Sequence, residues 1–384
     1  MVHVLKSKIA IVGAGPAGCA CAYYLQNDYE VTLFDYASAL RTLLPTGGGR
    51  CNLAYGEYDF KDLAKNYPRG EKFLYSVFSK FSTADTLAFF ENIGVETYMQ
   101  DDFRIFPKSN SAKDVREKFL DSINKVRHVR ENVLRVDRVN YLFKVVTDLG
   151  SYNFDKVIIA TGGHASYEIM KILGHKIVEP KPALVGLKSK ENLSELAGVA
   201  LKNASAEFPK GVLSGDFLFT HQGVSGPLVY QISSIMAKEK FPYNIEFNFV
   251  GEIDLQTMLN ENSQKSIKNI LSELVPKSFA CYVLDKLKID EDKKAHKIDG
   301  KMRDEILNLL QKFMVTIFNV TKDGEVVTCG GVDLAEINPK TLESKIQEGI
   351  YFCGEVLDID GFCGGFNLQN CWSSAYVVSQ SISQ

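Results

Sequence analysis

Short apolar runs punctuated by glycine turns open the chain. Lys8–Val12, KIAIV, is β-branched and suits a buried parallel strand; glycines at 13, 15 and 18 follow, then a helical stretch, then a second strand at Val31–Phe34. That is a βαβ unit in outline. Much later, Val157–Gly163, VIIATGG, is an apolar strand ending in a diglycine turn, and Gly349–Cys353 reads as a strand that delivers Gly354 and Glu355. Gly364 and Gly365 then lead into Asn367–Gln380, which has helical character despite Trp372, Val377 and Val378. In between, Lys181–Phe249 alternates apolar and polar residues in short runs, which predicts β structure. Leu255–Phe313 carries apolar residues at helical spacing, broken by Pro276 and by the charged turn DEDKKAHKIDGK. Strand-like MVTIFNV (314–320) and EVVTCGG (325–331) precede the return to the glycine-rich segment.

The first unit carries the sharpest chemistry. Gly13 permits the tight turn, Gly15 lets backbone approach a pyrophosphate, and Gly18 lets helix and strand pack closely, with the phosphates on the helix N-terminus. Asp35 ends the second strand 17 residues after Gly18, where its carboxylate can accept hydrogen bonds from ribose hydroxyls. It would repel a 2′-phosphate, so NADP is not expected there. An adenine dinucleotide is. Cys19 and Cys21, two apart on the helix, cannot face one another and read as small packing residues.

The motif alone does not choose between NAD and FAD, because the two share their ADP half. FAD is held along its length and needs further contacts from distant segments. Three segments qualify. Thr46–Asn52, TGGGRCN, offers bare backbone for a flat ligand and a positive charge on Arg50. VIIATGG would pass under the cofactor. Glu355 would hold ribityl hydroxyls, while the helix after Gly364–Gly365 would direct free N–H groups and a positive dipole end at the N1–C2=O edge of a reduced flavin.

Composition narrows the partners. At 384 residues the chain suits two or three domains; 45% hydrophobic and 24% charged residues are ordinary for a globular protein, and a net charge of −3 gives no basic field for nucleic acid. A small-molecule substrate is expected, and no nucleic acid. The eight cysteines form no CxxC pair and no zinc-ligand spacing, so reduced thiols and no metal are expected. Seven residues precede the first strand, and no apolar run approaches the ~18 residues of a membrane span, so the expectation is a cytoplasmic protein without signal peptide or membrane contact. Oligomeric state is not legible.

With GAGPAG, TGGGRCN, FRIFPKSNSAKDV (103–115), ATGG, FTHQGVSGP (219–227) and GEVLDIDGFCGGFNLQNCWSSA in order, the chain resembles the BaiN/YhiN-like family of FAD-dependent oxidoreductases, also called aminoacetone-oxidase-like FAD-binding proteins. Thr46, where Ser is usual, and NCWSSA, whose second residue is often Ala, are small departures. The resemblance implies an α/β fold: a Rossmann-like FAD-binding domain of the two-dinucleotide-binding-domain type, at 1–182 and 332–384, interrupted by a β-barrel-like domain at 183–252 and 314–331 that carries a helical insert at 253–313. It also implies non-covalent FAD, with chemistry that ranges in the family from bile-acid enoyl reduction to aminoacetone oxidation. Residues expected to hold the cofactor are Gly13, Gly15, Pro16, Ala17, Gly18 and Asp35; Gly48, Gly49, Arg50, Cys51 and Asn52; Val133; Thr161 and Gly162; and Gly354, Glu355, Gly364, Gly365, Phe366, Asn367 and Leu368.

Two candidates for catalysis remain double-edged. His221 can donate a proton as flavin N5 delivers hydride, or can, with Thr220, satisfy turn backbone or cap a helix starting near Ser225. Arg50 can neutralise charge on flavin or substrate, or hydrogen-bond within its own loop. Cys51 lacks a partner cysteine at the spacing of flavin disulfide reductases, so thiol redox is not expected. Arg104 either reaches the substrate cleft or orders a turn, and Asp358 and Asp360 shape their loop. No second GxGxxG marks a built-in nicotinamide domain. The leading expectation is hydride transfer between flavin N5 and a small organic substrate, with NAD(P)H as a transient donor. The alternatives are an oxygen-using amine or aminoketone oxidase, an RNA-associated or non-catalytic flavoprotein, and an NAD-dependent dehydrogenase using the first motif alone.

Overall fold

A computed structural model describes residues 6–163, 167–321 and 327–384. The chain forms two compact units, one from residues 1–181 and 327–384, the other from residues 182–326.

The first unit is built on a five-stranded parallel sheet. Its strands are β1 (Lys8–Val12), β2 (Glu30–Phe34), Arg127–Val129, Lys156–Ile159 and Ile350–Phe352. The last two of these lie on one side of β1, with Lys156–Ile159 adjacent to it, and β2 and Arg127–Val129 lie on the other. β1, Lys156–Ile159 and Ile350–Phe352 read as near-continuous apolar runs because a parallel sheet is covered on both faces; in Arg127–Val129, at the edge, Arg127 and His128 are exposed and Val129 is half-buried. α1 (Pro16–Leu25) joins β1 to β2, and its small residues from Ala17 to Ala22 are all buried. They admit the C-terminal helix Phe366–Ile382, onto whose Ala375 carbonyl the Cys21 thiol is directed at 3.7 Å. Cys19 and Cys21 are thus packing residues, as read from their spacing. The C-terminal helix forms through Val377 and Val378 because both are fully buried, and tertiary packing outweighs their modest propensity.

A strap of residues 333–349 leads into Ile350–Phe352, and buried His175 pins it. Its Nδ1 lies 3.0 Å from Glu336 Oε2 and its Nε2 3.0 Å from Ser344 Oγ. Burial lowers the imidazole pKa, which suits a neutral ring donating to the carboxylate and accepting from the hydroxyl. Ser344 Oγ also accepts from the amides of Ile346 and Gln347, so this Ser-His-Glu array is a structural pin and not a nucleophile.

The second unit is a closed six-stranded antiparallel barrel. Around it run Leu187–Ser189, Gly223–Ser225, Gly211–Thr220, Ala200–Phe208, Tyr243–Asn248 and Phe313–Val320. Helices Leu255–Glu261, Ile267–Leu271, Lys277–Lys286 and Gly300–Gln311 follow Tyr243–Asn248 and share one apolar core with the barrel, in which Phe217, Phe219, Phe247, Phe279 and Phe313 cluster. Residues 325 and 326 of the strand expected at 325–331 lie outside the described residues. The observed strand Val327–Val332 pairs with Ile177–Ala183 and belongs to the first unit, not to the barrel. The reason is backbone proximity: a Cβ at Gly330 would fall 2.6 Å from the Glu179 carbonyl, and one at Gly331 2.5 Å from that of Val356. Among the described residues, no helix is long and apolar enough to cross a membrane.

Trp372 ties the C-terminal helix to the rest of the first unit. It is 1% exposed, stands among the rings of Phe89, Phe90 and Phe119, and donates Nε1–H to the Leu53 carbonyl at 3.0 Å. Trp372→Ala should cost about 3–5 kcal/mol, since it opens a cavity and strands a buried carbonyl. Because Trp372 is the chain's one tryptophan, urea unfolding should be followed by circular dichroism, not fluorescence.

Candidate dinucleotide site

The predicted motifs converge at the C-terminal ends of adjacent parallel strands. Strand order reverses between β1 and Lys156–Ile159, and the crevice beyond such a switch point is where open α/β sheets take ligands. Gly13, at φ +106°, sits so close to the neighbouring strand that a Cβ would lie 2.3 Å from the Ala160 carbonyl. A Cβ on Gly18 would lie 1.9 Å from the Gly13 carbonyl. Gly15 differs: it is extended, and its nearest neighbour would be Thr42 Oγ1 at 3.8 Å. Two glycines are therefore demanded by the fold, while the third keeps space open above the helix start. Pro16 occupies the first turn of α1, leaving the Ala17 and Gly18 N–H groups without helical acceptors.

Asp35 holds this loop from below. Its Oδ2 accepts from the Ala14 amide and its Oδ1 from the Ala37 amide, each at 2.8 Å. A carboxylate offers about four acceptor sites, so two remain for ribose. Asp35 lines a cleft of about 560 Å³ with Ser38, Arg116, His128, Val129 and Arg130, within the range of small-ligand sites. Burial lowers the His128 pKa. Val133 begins the strand Val133–Val139, four residues beyond Val129, which lines the cleft with Arg130.

At the other end, Gly354 (φ +74°) abuts the first motif: its Cβ would lie 2.8 Å from the Ala17 Cβ, and its N–H donates to Ser374 Oγ at 3.0 Å. Glu355 Oε1 accepts from the Thr328 amide at 2.8 Å, and a Cβ at Gly163 would lie 2.8 Å from the Thr328 Cβ and 3.1 Å from that carboxylate. Gly162, at φ +76°, has open space where a side chain would be. So does Gly48.

The TGGGRCN loop winds left-handed through Gly47, Gly48, Gly49 and Cys51. Arg50 stacks on Phe106 at 4.1 Å and donates Nε–H to the Gly47 carbonyl, the within-loop role of its two readings. Cys51 is fully buried, and burial pushes its thiol up to about 12, so it stays protonated at neutral pH. Gly365 caps the C-terminal helix at φ +98°, its Cβ position 2.5 Å from the Ala54 carbonyl, which brings GFCGGFN against the residues just after TGGGRCN. Asn367 spends both ends of its amide on Gly361, at 2.8 Å each, and so shapes the loop. Phe366 is buried and Leu368 packs against the core. Arg104 is paired with Asp102 at 2.6 Å. In the second unit, His221 is exposed in the turn between Gly211–Thr220 and Gly223–Ser225, and the helix begins later, at Pro227. It makes no hydrogen bond among the described residues, so it does not act as a cap.

Four buried side-chain atoms among the described residues lack a partner: Asn52 Oδ1, Thr161 Oγ1, Thr220 Oγ1 and Asn370 Oδ1. Three of them fall in the glycine-rich segments of the first unit. Leaving such an atom unsatisfied costs about 1–3 kcal/mol, so these positions fit a ligand with a polar edge, as FAD has. Asn370 went unnoticed in the sequence. The signal was a polar residue one helical turn before Ser374, on the packed face of the helix. Among the described residues, no cluster suited to a metal ion occurs.

The three glycines separate binding from folding. Gly15→Val should leave the melting temperature of the apoprotein within a few degrees while abolishing FAD uptake; Gly18→Val should lower both, because its side chain meets backbone. Absorbance after FAD reconstitution, alongside thermal melts, checks the contrast.

Residues 7–381 match the family model described as the HI0933-like protein Rossmann domain. The chain is 27% identical to a 3-dehydro-bile acid delta(4,6)-reductase of Clostridium scindens, over 98% of this chain and 99% of that protein. It is 29% identical to a ribosomal RNA dihydrouridine synthase of Escherichia coli, over 97% of each. Among solved structures, a 3-ketosteroid delta1-dehydrogenase from Sterolibacterium denitrificans aligns over 99% of this chain and all 100% of that one with a TM-score of 0.50 at 11% identity, a likeness of fold. The chain belongs to the HI0933-like family of FAD-dependent flavoprotein oxidoreductases.

Proposed function

We propose that this enzyme is a reductase that adds hydride and a proton across a carbon–carbon double bond conjugated to a carbonyl. The observation that carries the reading is the start of the C-terminal helix, where Gly364 and Gly365 adopt positive φ and open the first turn toward the glycine-rich segments. N–H groups there would favour negative charge on the pyrimidine edge of a reduced flavin. Bound FAD supplies a two-electron carrier able to pass hydride to carbon.

The chain's own residues do the rest. Gly13, Gly15 and Gly18 would seat the pyrophosphate, Asp35 the ribose, and Glu355 the ribityl hydroxyls. Asn52, Thr161 and Asn370 would meet the polar edge of the ring. As proton source we propose His221, an exposed imidazole with no hydrogen bond among the described residues.

The relatives' names support this bond class. A delta(4,6)-reductase acting on a 3-dehydro-bile acid and a synthase of dihydrouridine both saturate double bonds in conjugation with a carbonyl, the second in a uracil ring. The latter also favours a second substrate reading, a uridine within ribosomal RNA, which the net charge of −3 had weighed against. An acidic chain lacks broad phosphate affinity, yet a flipped base can be read by its edge alone. NAD(P)H is the proposed donor, visiting transiently.

The FAD-loaded protein should bleach at about 450 nm when NADH or NADPH is added without oxygen, and a cyclic enone should restore the band. Reoxidation by a uridine-bearing ribosomal RNA fragment, with a gain of two hydrogens in that base, would assign the RNA reading. Bleaching by an amine alone, with recovery only in air, would make the protein an oxidase and defeat the proposal. His221→Gln should slow substrate reduction about 10²-fold and spare flavin reduction by NAD(P)H.

A further inference from the structure

Residues 66–70, Asn-Tyr-Pro-Arg-Gly, belong to none of the recognised motifs, yet they grip the loop that delivers the C-terminal helix. The Asn66 carbonyl accepts from the Phe362 amide at 3.0 Å. Tyr67 donates its hydroxyl to the Phe366 carbonyl at 2.5 Å, and its ring closes over Gly361, where a Cβ would lie 2.9 Å from it. Gly70, at φ +88°, lets Ile359 approach to 2.7 Å from its absent Cβ. Between these contacts, Arg69 forms a two-pronged ion pair with Asp360, Nε to Oδ1 and Nη2 to Oδ2.

That pair is costly where it stands. The Asp360 side chain is 0% exposed and that of Arg69 13%. A buried ion pair seldom stabilises more than well-packed apolar residues of the same size, so stability alone does not account for it. Its place does. Asp360 adjoins Gly361, whose N–H and carbonyl are both held by Asn367 in the first turn of the C-terminal helix. Displacement or net charge at Asp360 would therefore reach that turn directly.

We propose that Arg69 and Asp360 are positioning residues for the flavin: the pair fixes the loop so that the helix start meets the pyrimidine edge of the ring, and it keeps this approach electrically neutral. The reading rests on the ring lying at that helix start. Reduced flavin carries more negative charge there than oxidised flavin. An uncompensated carboxylate would then disfavour reduction, and an uncompensated guanidinium would favour it.

The test is the midpoint potential of the FAD-loaded full-length protein, by dye equilibration, for Arg69→Met, Asp360→Asn and the double variant Arg69→Met/Asp360→Leu. Arg69→Met should weaken reduced relative to oxidised FAD about tenfold, a fall of about 30 mV for a two-electron couple. Asp360→Asn should shift the potential upward by a similar factor, and the double variant should return toward wild type. Shifts of opposite sign separate tuning from simple loosening, which would move both single variants the same way. Same-direction shifts, or unmoved potentials with FAD retained, overturn the proposal. Should Arg69→Met fail to fold, Asp360→Asn decides by its sign, with Arg69→Lys expected to stay near the wild-type potential. A wild-type protein that takes up no FAD defeats the underlying reading, and this proposal with it.

Discussion

Everything at the cofactor end depends on three stretches of backbone lying closer together than side chains allow. Gly13 touches Ala160, Gly18 touches Gly13, and Gly354 touches Ala17. These contacts set β1, its neighbour strand and the Ile350–Phe352 strand at one height, so their following loops open onto the same crevice. Parallel strands buried on both faces supply the stiffness. A side chain at Gly13 would push against the neighbouring strand's Ala160, and one at Gly18 would push α1 off β1, so either costs more than a cofactor contact. Of the three glycines in the first motif, only Gly15 is free of this constraint, and its bareness fits the approach of a ligand.

The acids of the site serve structure and ligand together. Asp35 holds Ala14 and Ala37, and Glu355 holds Thr328, through backbone amides that are present whether or not a cofactor is. Such carboxylates are oriented before binding, so less ordering remains to be done when hydroxyls arrive. His175 plays the corresponding part for the strap ahead of Glu355. Its neutral ring joins Glu336 to Ser344 and fixes the entry to the Ile350–Phe352 strand.

What could be read from the chain alone was what is local. The βαβ unit declares itself because its strand, turn, helix and terminal acid occur within 28 residues, each with its own physical cause. TGGGRCN could be read as a loop of unusual backbone because three successive glycines tolerate the left-handed region that they adopt here. Residues 327–331 were expected in the barrel-like domain, but the strand Val327–Val332 pairs with Ile177–Ala183, about 150 residues away, and nothing in either stretch names its partner. The grip of residues 66–70 was invisible for the same reason, since Arg69 finds Asp360 across 291 positions.

A single electrostatic logic connects these parts. Negative charge near a flavin opposes its reduction, yet the segments around the helix start contain Cys51, Cys371, Asp360 and Glu355. Burial pushes the thiols of Cys51 and Cys371 up to about 12, so both are neutral at physiological pH. Asp360 is matched by Arg69, and Glu355 is met by an amide dipole. Asp358, in the same loop, accepts from the Gly330 amide at 3.0 Å, and the helix start adds N–H groups that need no titration and lose nothing when pH changes. Hydride transfer at a flavin is two-electron chemistry that needs no thiol partner.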